Sequence, residues 1–159
     1  LVHRVENKYR KSLVEAEKAI ALDPNFANAH VLLATLLHHA GRHDESLERM
    51  KQAMRLNPHY PSNYSFHVGQ ALYMMRRYDE AITAFKQGLE SNPTSTRSHM
   101  WLAAAYAQTG NHVEAEWERE QTYALDPAFS VDQIRRAPPY GGPTDVEHMV
   151  AGLKKAGFK

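Results

Sequence analysis

Apolar residues recur along this chain at steps of three and four, in blocks separated by short polar breaks. In "FANAHVLLATLLHHAG" (26–41), Ala29, Leu32, Leu33 and Leu36 share one face, which predicts an amphipathic helix. Gly41 stands where a helix-ending glycine belongs. The next block, "DESLERMKQAMRLNP" (44–58), places Leu47, Met50, Ala53, Met54 and Leu56 on one side and predicts a second helix. The pair then recurs. "YSFHVGQALYMM" and "DEAITAFKQGLES" flank the break "RRY", and "RSHMWLAAAYAQTG" and "VEAEWEREQTYAL" flank "NH". At the front, "NKYRKSLVEAEKAIAL" reads as a second helix whose first helix is missing or reduced to Leu1–Glu6. Its apolar face (Leu13, Ala16, Ile20) is then expected to lie open unless Leu1–Glu6 or another chain covers it.

Prolines punctuate the pattern. Pro24, Pro58, Pro93 and Pro127 are separated by 34, 35 and 34 residues, and each follows Asp or Asn. Proline lacks an N–H and pushes the residue before it out of the α region, so each one closes a unit and opens a turn. The extra residue of the longer gap is expected in "HYPSN" (59–63), where Pro61 lies. A fixed period of this length signals stacked supersecondary units. The expected class is all-α: antiparallel helix pairs wound into a right-handed superhelical solenoid, closed by a C-terminal helical cap.

The residues inside the period resemble the tetratricopeptide repeat (TPR) family. In "VGQALYMMRRYDEAITAFKQGLESNP", Val68 and Gly69 fall at the family's Leu-Gly step, Tyr78 at the turn aromatic, Ala81 at the small residue, Phe85 at the next aromatic and Pro93 at the closing proline. Leu102, Ala103, Tyr106, Gly110, Ala115 and Pro127 match in the third unit; Leu33, Ala34, Leu37, Gly41, Ser46, Ala53 and Pro58 match in the first. The resemblance spans about residues 7–129. It divides the chain into a leading partial repeat (1–24), three repeats (25–58, 59–93 and 94–127) and a cap (128–159). Gly69, Ala34 and Ala103 are expected where the first helix of each pair packs tightly on the second, with Ala81, Ser46 and Ala115 small for the reciprocal reason.

The tail leaves the repeat. Ser130 with Gln133 and Thr144 with Glu147 fit capping boxes, "APPYGG" between them cannot be regular helix, and Gly157 ends the last one. Residues 130–157 are read as the polar-faced unit that terminates a solenoid. The ending "APPY…AGLKKAGF" also resembles tails that follow TPR arrays in some bacterial adenylate-cyclase-like signalling proteins.

Composition narrows the function. Nineteen basic residues face eighteen acidic ones, so no nucleic-acid partner is expected. There is no cysteine for a disulfide or thiolate site, and no apolar run long enough to span a membrane. The opening "LVHRVENKYRK" has no signal-peptide core, and a cytoplasmic protein is expected. The chain starts at Leu1 rather than Met and is read as a fragment of a longer protein. Among ten histidines, "HHAGRH" gathers His38, His39 and His43, but Gly41 breaks the helix that a metal clamp would need. His30 and His99, and His43 and His112, instead occupy slots where the repeat carries aromatics. The paired acids of "DESLERM" and "EAEWERE" are read as solvated helix faces. No hydrolase, nucleotide or zinc motif occurs. No enzyme activity, cofactor or metal is expected.

What the resemblance implies instead is a concave face, lined by the first helix of each pair, that holds a peptide or protein partner. The stripes beside the core positions nominate Val31, Thr35 and His38 in the first repeat, Phe66, Gln70 and Tyr73 in the second, and Arg97 and Met100 in the third. Such a groove is aromatic and apolar. The family's clamp for chaperone tails uses Lys and Asn at these places, where this chain has Val31, Thr35, Phe66 and Gln70, so that ligand class is not expected. The alternatives are that Phe66, Tyr73 and Met100 pack against the cap or a missing upstream helix, and that the chain is a structural, oligomerising or regulatory segment of a larger signalling protein such as an adenylate-cyclase-like enzyme. Homo-oligomerisation is expected through the N-terminal end.

Overall fold

The computed structural model describes residues 2–136 and 142–159; Leu1 and most of the "APPYGG" stretch lie outside the described residues. All regular structure among the described residues is helical. A leading helix α1 (Val2–Leu22) is followed by three pairs: α2 (Ala27–His39) with α3 (His43–Leu56), α4 (Ser62–Met74) with α5 (Tyr78–Ser91), and α6 (Thr96–Gln108) with α7 (His112–Leu125). A short α8 (Val131–Arg136) and a final α9 (Pro143–Lys155) complete the chain.

The punctuation works as its chemistry requires. Each proline sits two residues past a helix end, and the Asx residue before it donates the last helical hydrogen bond: Asp23 to Ala19, Asn57 to Ala53, Asn92 to Gly88 and Asp126 to Thr122, at 2.8–3.1 Å. The extra residue falls between Pro58 and Ser62, in the loop that contains Pro61. Within each pair the turn is equally regular. The N–H groups of Arg42, Arg77 and Asn111 reach back to the carbonyls of Leu37, Leu72 and Tyr106 at 2.9 Å, the long bond that closes a helix through one left-handed residue. That residue is Gly41 (φ 76°), Arg76 (φ 59°) and Gly110 (φ 77°) in turn.

Small residues set the spacing inside the pairs. Ala34, Ala81 and Ala103 are fully buried, and Ser46 donates to the Ala34 carbonyl at 2.7 Å, so backbone meets side chain directly. A Cβ at Gly69 would stand 2.5 Å from the Phe85 ring. Phe85 and Trp101 fill the space between the second and third pairs, with ring centroids 6.0 Å apart.

Of the two options for the leading unit the structure takes the first: residues 2–6 continue α1, and no separate first helix stands before it among the described residues. Two local expectations are corrected. Leu13, Ala16 and Ile20 are not open, because they pack on Leu33 and Leu37 of α2; the exposed apolar positions are Val5, Val14 and Leu22 of α1 and Leu32 of α2. Thr144 does not cap α9: the helix begins at Pro143 behind Gly142, and Glu147 pairs with Arg135 at 3.3 Å.

Candidate ligand-binding surface

Helix contacts define the curvature. α2 touches α4 and α4 touches α6, whereas α3, α5 and α7 do not touch one another. The first helices therefore lie on the inside of the curve, and their free stripes form a concave face.

The eight nominated residues lie on α2, α4 and α6 at different depths. Val31 and Thr35 are half-buried and Arg97 is exposed, with its guanidinium 4.7 Å above the Phe66 ring. Phe66 and Met100 are buried. Gln70 is buried as well; it accepts from His67 Nδ1 at 3.3 Å, and its own amide nitrogen finds no partner among the described residues. Burial holds His67 below the usual histidine range, with Arg97 and His39 nearby adding to the effect. His38 is buried and pushed down to about 3, first by desolvation and then by the adjacent His43. Tyr73, at the other end of the same helix stripe, is completely buried.

What buries Tyr73 is α9. This helix packs on α6, touches α4 and does not continue the solenoid against α7. It crosses the concave face near the pair turns and meets each repeat through a polar contact. His43 Nε2 donates to Asp145 at 2.7 Å, while His38 and His43 share one proton between Nδ1 atoms 3.1 Å apart. The Tyr78 hydroxyl donates to His148 Nε2 at 2.7 Å, and Tyr73 donates to the His148 carbonyl at 3.3 Å with the imidazole stacked on its ring. Gln108 donates to the Tyr73 oxygen at 3.2 Å and accepts from Lys155 at 2.8 Å. Gly152 sits where a Cβ would run into the Tyr73 hydroxyl and stand 3.1 Å from Ala104. Beyond the helix, Phe158 wedges between Tyr123 and Phe129, and Val131 donates to the Lys159 carbonyl at 2.9 Å.

This crossing helix was not foreseen from the sequence, although a glycine inside a helical pattern is the signal of a close approach. Of the alternatives, packing of Tyr73 against the cap is what the structure shows. Among the histidines, His30 and His99 both donate from Nε2 to the closing proline's carbonyl of the preceding unit, Pro24 and Pro93, at 2.9 Å. His99 also donates from Nδ1 to Glu118 at 2.6 Å. Both of its nitrogens face acceptors, and the Glu118 carboxylate raises its pKa. Glu118 lies in the acidic run "EAEWERE" read as solvated; this member of it is buried. Among the described residues no group of three or more His, Asp or Glu could hold a metal ion.

Two models of the Tetratricopeptide repeat family match residues 25–93 and 69–128. The chain is 34% identical over 91 residues to Small glutamine-rich tetratricopeptide repeat-containing protein 2 of Mycosarcoma maydis, covering 57% of this chain and 26% of that one. It is 27% identical over 88 residues to Hsp70-Hsp90 organizing protein 3 of Arabidopsis thaliana, covering 55% and 16%. The chain thus spans about a quarter or less of these relatives' length. Among solved structures, MamA superposes with a TM-score of 0.73 at 21% identity over 96% of this chain and 89% of its own. YrrB, described as a TPR protein with an unusual peptide-binding site, gives 0.68 at 19% identity over 98% and 79%. The matched helix pairs, their proline-closed turns and their small-residue contacts place this chain in the tetratricopeptide repeat family.

Proposed function

We propose that this chain is a non-catalytic protein-interaction module that binds a partner segment on its concave face. The observation that carries this reading is that the face already accepts a polypeptide, α9, through side-chain contacts from every repeat. The strip not covered by α9 offers Val31, Thr35 and Arg97, with Phe66 under the guanidinium and, on the same helix, a buried Gln70 amide nitrogen without a partner among the described residues. That combination suits a segment with an apolar or aromatic anchor and a backbone carbonyl or carboxylate beside it. His38, Tyr73 and Met100 form the deeper part of the same surface. The chain is expected to work in the cytoplasm, without cofactor or metal.

The test starts from a partner captured on the intact chain and identified by mass spectrometry. Its affinity is then titrated against Phe66→Ala and Arg97→Ala, with Glu48→Ala on the outer face as control. Buried anchors dominate such interfaces, so each concave-face variant is expected to lose about 1–2 kcal/mol of binding. Equal losses for the control would move the partner to the convex surface.

A second reading rests on a different surface. Val5, Tyr9, Leu13 and Leu36 line an apolar depression of about 670 Å³ between α1 and α2. In this reading the chain joins copies of itself, or a neighbouring part of a larger signalling protein, through its N-terminal end.

A further inference from the structure

We propose that α9 is the resident, displaceable occupant of the concave groove, and that the groove under it is a receptor for an α-helix carrying the α9 side-chain order: Asp145, His148, Gly152 and Lys155. This deepens the concave-face reading above and rests on it.

The helix is built into the molecule unlike the others. From α1 to α7 each helix packs against the next one in the chain, and α9 packs on the short α8 before it. α9 skips α7 and lies across α6 and α4. Its contact surface is mixed. Met149, Val150 and Leu153 supply the buried apolar part, while the ends are held by side-chain hydrogen bonds at 2.7–2.8 Å from three successive repeats. His43 and Tyr78 stand one repeat apart at the same turn position, so the array presents an ordered row of partners. Spacing along α9 matches that row. Asp145 and His148 are three residues apart, and Gly152 follows at four, which puts all three on one helix face. The absent side chain at Gly152 lets the helix seat against Tyr73 and Ala104. A partner helix with the same order would satisfy the same donors and acceptors once α9 leaves.

The experiment uses the full chain and a fluorescein-labelled synthetic peptide with the sequence of residues 143–159. Fluorescence anisotropy is compared for wild type, for Gly152→Leu and for the double variant Asp145→Ala/Lys155→Ala. The first forces α9 off Tyr73; the second removes the anchors at its two ends while keeping His148, Met149, Val150 and Leu153. Apparent affinity scales with the fraction of molecules whose groove is open, so both variants are expected to bind the peptide at least about tenfold more tightly than wild type. Peptides with Asp145→Ala or Gly152→Leu are expected to lose that gain. Hydrogen exchange in the double variant is expected to show faster exchange in α9 with α2–α6 still protected. Equal peptide binding by wild type and the double variant, or α9 exchanging only together with α4–α6, would overturn the proposal. Such a failure leaves partner binding at Phe66 and Arg97 standing. Peptide binding without any partner effect at those residues would instead sink the concave-face function alone.

Discussion

Arg76 holds a left-handed backbone conformation where the flanking repeats have Gly41 and Gly110. A side chain there costs about 1 kcal/mol or more, while glycine carries its own entropy cost in the unfolded chain. Arg76→Gly is expected to stabilise the chain by about 0.5–1 kcal/mol, read as a higher urea midpoint. The reverse holds at Gly69. Any side chain meets the Phe85 ring, and Gly69→Leu is expected to cost about 2–3 kcal/mol through overpacking, seen as a lower Tm. Gly69 was legible in the sequence because a small residue recurs at that point of every repeat. At Arg76 the repeat register marks the position, 17 residues before Pro93 as Gly41 and Gly110 are before Pro58 and Pro127, but only the structure shows that a residue with a side chain keeps the positive φ there.

At the scale of the element, two sets of histidines oppose each other as pH changes. His99 links α6 to α7 through Glu118, and its folded pKa is raised. Its contribution is full below the unfolded value of 6.5 and is lost as pH rises through the folded pKa. Urea unfolding from about pH 6 to about pH 9 is expected to show falling stability from this pair, with the slope reduced in Glu118→Gln. His38 and His148 have folded pKa values depressed chiefly by burial. Their contribution is full above 6.5 and declines as acid protonates the unfolded chain first. Protonated His148 can no longer accept from Tyr78, and positive charge on Arg76, His43 and Lys155 opposes its ionisation while Asp145 favours it. Hydrogen exchange at about pH 5 against about pH 7.5 is expected to show α9 loosening before the helix pairs do. The helices themselves were readable from periodicity. The Glu118 pair was not, since an acidic run on a helix looks solvated until a neighbouring helix covers one of its members.

The whole molecule is a curved array with two unlike ends. At the C-terminal end Phe129, Ile134 and Phe158 close the core. At the N-terminal end α1 leaves Val5 57% exposed beside the depression at Tyr9 and Leu36. If that face joins copies, sedimentation velocity is expected to show concentration-dependent association that Val5→Glu weakens; an unchanged profile would leave the face to another partner. The repeat and its helix pairs and turns follow from the sequence by itself. Each depends on contacts within one 34- or 35-residue period, and local spacing encodes them. Only the tertiary structure decided that α9 turns back across those repeats and buries Tyr73. That choice depends on His43, Tyr78 and Gln108 converging from three repeats on one helix more than 35 residues downstream, and no local periodicity records such a meeting.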